Sequence, residues 1–226
     1  MLQLYVGNRS RNQRLEPLLQ SAIHHGIPLH EVNRDKLDRL AGSHLHQGII
    51  ARCRTLPKRG DVELAWDVKA LDKPAMLLVL DGIQDPHNLG ACIRTLNGAG
   101  GHGIILPKDR SAPVTPVVHK SASGAMETTP LYQVTNLVRT LQKLKQESNL
   151  WIYGTSDRAD RSLYDLDLSV PFALVLGTEG RGIRRLVVEQ CDQLASIPML
   201  GSVSSLNVSV AAGVCCYEAL RQRLTT

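Results

Sequence analysis

Aromatic residues are scarce in this chain of 226 residues: two tryptophans, five tyrosines and a single phenylalanine, Phe172. Proteins that read single-stranded bases by stacking display several exposed aromatics, so stacking is not the expected mode of recognition. Cysteine is also sparse. Cys53, Cys92, Cys191, Cys215 and Cys216 are odd in number and irregular in spacing, with no C-x-x-C. That argues against a disulfide framework or a zinc knuckle, and reduced, mostly buried thiols are expected. The pairs His24–His25 and His44/His46 are not completed by further ligands, so no metal is expected. No apolar run reaches the roughly 18 residues of a membrane span. The first residues, MLQLYVGNRSRNQRLEP, lack the apolar stretch of a secretory signal, which makes the cytoplasm the expected location. Neither a G-x-x-x-x-G-K-[ST] phosphate loop nor a G-x-S-x-G nucleophile elbow occurs.

What is present is unevenly distributed. Hydrophobic residues make up 43 % of the chain, enough for a sizeable core. The formal charge is +5, and it resides at the start: residues 1–60 hold ten Lys or Arg against four acids, while the remainder is nearly balanced. A basic module joined to a near-neutral one points to a polyanion contact by the module, although a solvated basic face has the same composition.

The pattern of elements divides at the same place. Residues 1–56 read as a small α/β domain. Its strands are expected at Leu2–Val6, Leu29–Val32 and Gly48–Cys53. Its helices are expected at Arg14–His25, with a stripe of Leu15, Leu18, Leu19, Ala22 and Ile23, and at Arg34–Ala41. Residues 57–73, rich in proline and charge, read as a linker. Over 74–226 the order becomes strand, loop, helix, repeated. Strands are expected at Ala75–Leu80, Gly103–Leu106, Leu150–Gly154, Phe172–Leu176 and Ala195–Pro198. Helices are expected at Ala91–Ala99, Thr135–Glu147 and Asn207–Arg223. Continuous apolar strands are buried on both faces, which predicts a parallel sheet covered by helices.

Ligands of parallel sheets sit beyond the carboxyl ends of strands. Three segments there look too specialised for plain connections: 81–90 (DGIQDPHNLG), 177–183 (GTEGRGI) and 198–207 (PMLGSVSSLN). Their glycines permit tight turns and close approach to a ligand, and two of them lead into helices whose first amides are free. Asn88, Ser205 and Asn207 are also the residue types that cap helices. A nicotinamide fold is disfavoured because the second loop reads G-x-x-G-x-G and follows a late strand. Cys92, near a loop, reads as a structural thiol.

Taken together, N-L-G-x-x-x-R at Asn88–Arg94, L-G-T-E-G-x-G at Leu176–Gly182 and I-P-M-x-G-x-x-x-S-L-N at Ile197–Asn207 resemble the SPOUT methyltransferases. Within these the chain resembles the TrmH/SpoU family of RNA ribose 2′-O-methyltransferases. The stretch IPMLGSVSSLNVSVAAG is similar to the subgroup that methylates a guanosine of 23S ribosomal RNA, and HQGIIAR at His46–Arg52 is similar to the end of that subgroup's N-terminal RNA-binding domain. The resemblance implies an α/β parallel-sheet SPOUT domain with a deep C-terminal trefoil knot. It also implies S-adenosylmethionine as methyl donor, a homodimer paired near the knot, and a small domain of ribosomal-protein-like fold that binds ribosomal RNA. Relatives carry a strand and a helix ahead of the segment that begins here, so the small domain is expected to be incomplete at its N-terminus. The same chemistry on transfer RNA and a non-catalytic RNA-binding protein of this fold are the alternatives.

The resemblance also distributes roles. The segments around Thr155, Gly177, Gly180, Ile197, Met199 and Leu206 are expected to hold the donor. Arg94 is the family's central catalytic residue. A guanidinium holds its proton too firmly to be a good base, so its expected role is to bind the target's phosphate and stabilise a developing alkoxide. Glu179 either fixes Arg94 or receives a hydrogen bond near the donor, and Ser205 and Asn207 hold the ribose or Asn88. All of these are expected around one cavity. Phosphate contacts are expected from Arg9, Arg11, Arg14, Arg52, Arg54, Lys108 and Arg110.

Overall fold

The computed structural model describes residues 1–7, 15–54, 57 and 59–225. Arg9, Arg11 and Arg14 lie outside the described residues. The chain separates into two compact units, Met1–Pro57 and Lys58–Thr226.

In the first unit, β1 (Gln3–Gly7) lies between β2 (Leu29–Val32), parallel to it, and β3 (Ile49–Arg52), antiparallel. Leu4 and Val6 alternate inward along β1 and pack with Ala22, Leu19, Ile27, Leu29 and Ile49. Helix α1 (Glu16–His24) supplies Leu19 and Ala22, but Leu18 and Ile23 are exposed. At about 100° per residue those two fall on opposite edges of the predicted stripe, so only its centre is covered. Helix α2 (Arg34–Ala41) begins with Asn33, whose side chain accepts from the Lys36 amide, and ends at left-handed Gly42. The carboxylate of Asp38 bonds both His44 and His46, at 2.8 and 2.9 Å.

The second unit is built on a six-stranded parallel sheet in the order β6-β5-β4-β8-β7-β9. Its strands are β4 (Met76–Leu80), β5 (Gly103–Pro107), β6 (Leu131–Val134), β7 (Trp151–Thr155), β8 (Phe172–Leu176) and β9 (Gln193–Ala195). Every residue of β4, β5 and β8 is buried, as continuous apolar runs require. From β4 the chain winds outward through β5 to β6. It then crosses to β7, returns inward to β8 beside β4, and leaves for β9. The winding therefore changes direction between β4 and β8, which places the loops after those strands side by side.

Several elements differ from expectation. The stretch read as a linker contains α3 (Asp61–Lys69), whose Leu64 and Val68 are buried in the main core. Only these two apolar residues, one turn apart, face inward, while Val62 and Trp66 are exposed; the stripe is too narrow to read against the charges around it. Helix α4 (Pro86–Gly98) starts five residues before the predicted Ala91, with Asp85 capping the His87 amide and Pro86 in the first turn. Helix α5 (Pro116–Ala122), strand β6 and the short α7 (Arg185–Val188) were not expected. Gly98–Gly103 does spell G-x-G-x-x-G, but it leads from a helix into a strand, the reverse of a dinucleotide-binding turn. Helix α6 (Leu137–Ser148) covers the core that also takes α3. Helix α8 (Val208–Thr225) closes the chain and runs back to the amino ends of the strands. There Arg223 donates to the carbonyls of Pro74, Ala75, Leu168 and Val170 and lies over the Phe172 ring.

Candidate active site

Beside these loops lies an ion pair between buried Asp81 and exposed Arg184 that sequence reasoning did not single out. Asp81 directly follows β4 and is 2 % exposed. Its carboxylate accepts from the Arg184 backbone N–H at 2.9 Å and from Arg184 Nε at 2.7 Å, with Nη2 at 2.5 Å. An acid buried so fully is stable only when several donors meet it, and among the described residues they come from Arg184, beyond β8. The pair fastens the loop after β8 to the loop after β4. The only local signal was an acid placed at once after an apolar strand.

Above that clamp, residues 178–182 form a closed turn. Thr178 and Gly182 exchange backbone hydrogen bonds of 3.1 and 2.8 Å, with Gly180 and Gly182 at φ +79° and +65°. Gly177 has no alternative: a Cβ there would lie 2.0 Å from the Gly182 carbonyl carbon. The turn's tip carries Glu179. Its Oε1 accepts from Asn207 Nδ2 at 2.8 Å and from the Val208 amide at 3.4 Å, so the carboxylate rests at the positive end of α8.

Asn207 joins the three loops. Its Oδ1 caps α8 by accepting from the Ser209 amide at 2.9 Å and from Ser209 Oγ at 2.7 Å. Its Nδ2 donates to Glu179 and also to Asn88 Oδ1 at 3.1 Å. Both amide protons and the carbonyl are thus committed, which fixes the side chain's orientation. Capping and site assembly are the same act here. Asn88 lies in the first turn of α4, behind the Asp85 cap, rather than capping the helix itself. Ser205, one residue before Leu206, is exposed.

Arg94 does not join this group. It lies six residues beyond Asn88 on α4, about 240° around the axis at 3.6 residues per turn, and so faces another neighbour. Its Nη1 donates to Ser123 Oγ at 3.2 Å. Of the two alternatives for Glu179, the link to Arg94 is not formed among the described residues; its carboxylate accepts hydrogen bonds from Asn207 and the start of α8. Arg94 and Ser123 line a cavity of about 600 Å³ with Asn97, Gly124, Thr128 and Tyr217, a lining that does not include Asn88, Glu179 or Asn207. The expectation of a single cavity is therefore corrected: Asn88, Glu179 and Asn207 converge, and Arg94 turns to Ser123 instead. Helix phase is the reason, since residues six apart do not share a face.

The residues assigned to the donor lie around the same loops. Thr155 ends β7 and donates from Oγ1 to the Val175 carbonyl at 3.4 Å. Ile197, Met199 and Leu206 are half-buried, and Leu200 is fully exposed. Apolar side chains left partly open beside glycine turns with accessible backbone fit an adenosyl group, which needs an apolar slot and backbone hydrogen bonds. Cys92 is no nucleophile: burial, then nearby Cys216, pushes its thiol up to about 12. Lys108 and Arg110 are exposed after β5, and Arg52 and Arg54 are exposed at and beyond the end of β3.

Residues 75–217 match the SpoU rRNA Methylase family. The chain belongs to that family. A second family match, to RNA 2′-O ribose methyltransferase substrate binding, covers residues 1–58. Among SpoU relatives, the 23S rRNA (guanosine-2′-O-)-methyltransferase RlmB of Haemophilus influenzae is 49 % identical over 224 residues, covering 99 % of this chain and 91 % of its own. The RlmB protein of Pasteurella multocida is also 49 % identical, with the same coverage. The crystal structure of the SpoU methyltransferase AviRb from Streptomyces viridochromogenes, in complex with the cofactor AdoMet, shares the fold. Its TM-score is 0.82 at 24 % identity, over 99 % of this chain and 83 % of that one. The three loops of the site all lie within the SpoU match.

Proposed function

We propose that this SpoU protein transfers a methyl group from S-adenosylmethionine to the ribose 2′-hydroxyl of a guanosine in 23S ribosomal RNA. The observation that carries the chemistry is the Asn88–Asn207–Glu179 junction, which ties three loops at the sheet's switch point. The near-full-length likeness to proteins named for that reaction supports the substrate. S-adenosylmethionine supplies an electrophilic methyl on a sulfonium. The backbone at Gly177 and Gly180, with Thr155, would hold its polar parts, and Ile197, Met199 and Leu206 would form the apolar slot. Asn88, Glu179, Ser205 and Asn207 keep the loops and the ribose in register. Arg94 would bind the target's phosphate and stabilise the charge developing on the 2′-oxygen as its proton passes to solvent, the new C–O bond replacing the methyl–sulfonium bond with S-adenosylhomocysteine as the leaving group. Alignment of oxygen and methyl then supplies much of the rate, since oriented reactions recover roughly 7–11 kcal/mol.

The small domain, residues 1–56, holds the ribosomal RNA. Arg9, Arg11, Arg14, Arg52 and Arg54 serve it, and Lys108 and Arg110 extend the contact on the second unit, so binding weakens with salt. The protein works in the cytoplasm as a homodimer. Exposed Leu200, Val203, Val210 and Tyr217 support a pairing surface. The C-terminal trefoil knot belongs to the same reading. It is supported by the way the β7–β8 connection grips the returning chain: Ser196 pairs with Arg161 and Leu163, and Gln222 bonds Leu166 and Leu168. Mapping 2′-O-methylation on ribosomal RNA from cells with and without the protein tests the function. Loss of one guanosine methylation in 23S RNA is expected, and an unchanged map overturns the proposal.

A further inference from the structure

We infer that Ser123 is a positioning residue for Arg94; the inference rests on the role given to Arg94 above. Ser123 ends α5 in the left-handed region, at φ 49° and ψ 45°, where glycine or asparagine is the usual occupant. Gly124 follows at φ +88°. The hydroxyl that this conformation presents is used twice. It donates to the Lys120 carbonyl at 3.5 Å and accepts from Arg94 Nη1 at 3.2 Å. With its proton turned toward Lys120, its lone pairs face the guanidinium.

The spacing of this pair is set by backbone contact, not by chance approach of long side chains. Gly90 is one turn before Arg94 on the same face of α4. A Cβ at Gly90 would lie 2.5 Å from Ser121 Cβ and 2.7 Å from the Val118 carbonyl oxygen, so α4 and α5 pack there with no room for a side chain. One turn further, that contact brings Ser123 to Arg94 at the edge of the cavity of about 600 Å³. Ser123 is the hydrogen-bond partner that the guanidinium finds among the described residues, and it holds this flexible side chain to one direction. A serine kept where glycine fits more easily is accounted for by the hydroxyl.

The test separates aim from fold. Ser123→Gly removes the hydroxyl but suits the left-handed backbone. Its thermal midpoint should therefore hold or rise and its affinity for S-adenosylmethionine stay unchanged, while turnover on 23S RNA falls about 10-fold, within the range that small misplacement of a catalytic group produces. Ser123→Asn keeps a side-chain oxygen in a residue that tolerates this conformation, and should recover part of the lost turnover. Wild-type turnover in Ser123→Gly, or no recovery in Ser123→Asn, overturns the inference. Arg94→Ala, assayed alongside, separates the two readings: low activity there with normal Ser123→Gly rejects only the role of Ser123, whereas full activity rejects the role of Arg94 and this inference with it.

Discussion

One amide does most of the joining in this site. Asn207 Oδ1 starts α8, and the two Nδ2 protons link Asn88 to Glu179. Aspartate is an equally good cap but offers no proton to either partner, and it would place a second carboxylate beside Glu179, where the present bond is 2.8 Å. Asn207→Asp is therefore expected to retain the α8 cap, seen as a thermal midpoint lowered only modestly, while methyl transfer at neutral pH falls by about 10²-fold, the scale of losing one oriented donor. Methylation kinetics beside a melting curve check this, and unchanged turnover would show that the junction does not matter. The sequence made Asn88, Glu179 and Asn207 visible as unusual polar residues in glycine-rich loops. It did not reveal that Asn207 bonds the other two, because 119 residues separate it from Asn88 and 28 from Glu179. Asp81 and Arg184 stayed hidden for the same reason, each ordinary in its own segment.

At the scale of elements, the active loops depend on how α4 seats. Gly90 looked like a loop residue beside Pro86, yet it is the point at which α4 meets α5. Gly90→Ala should raise helix propensity locally and still destabilise the protein, because the methyl would sit 2.5 Å from Ser121 Cβ. The expected loss is roughly 1–3 kcal/mol, read by denaturant melts. Turnover should fall with it, since Asn88 and Arg94 ride on the same helix. A stabilised variant would mean the two helices part freely. Elements carrying a wide apolar stripe or a run of buried strand residues were legible, as α6, β4, β5 and β8 show. Helices α3 and α5 were not. The first presents two inward apolar residues among charges, and the second is seven residues long and starts with proline. The phase of Arg94 could have been worked out from the helix repeat, had the start of α4 been placed at Pro86.

For the whole molecule, the order β6-β5-β4-β8-β7-β9 makes chemistry and fold one matter. Strands distant in sequence, β4 and β8, become neighbours, and three loops meet where the winding reverses. Charge belongs to this scale as well. The excess of Lys and Arg in residues 1–60 was plain in the composition, and it is what the proposal of RNA capture by the first unit draws on. Strand order and threading carry no local signal, so they were available only through the combined motifs. The central claim, that the ribose oxygen accepts the methyl, has a direct chemical readout. A methylated 2′-oxygen cannot attack its neighbouring phosphate, so the linkage survives alkali. The decisive measurement incubates the purified protein with methyl-labelled S-adenosylmethionine and unmethylated 23S RNA, then hydrolyses the product in alkali. The account predicts label in alkali-resistant dinucleotides that begin with guanosine. Label released entirely in mononucleotides would place the methyl on a base and contradict it.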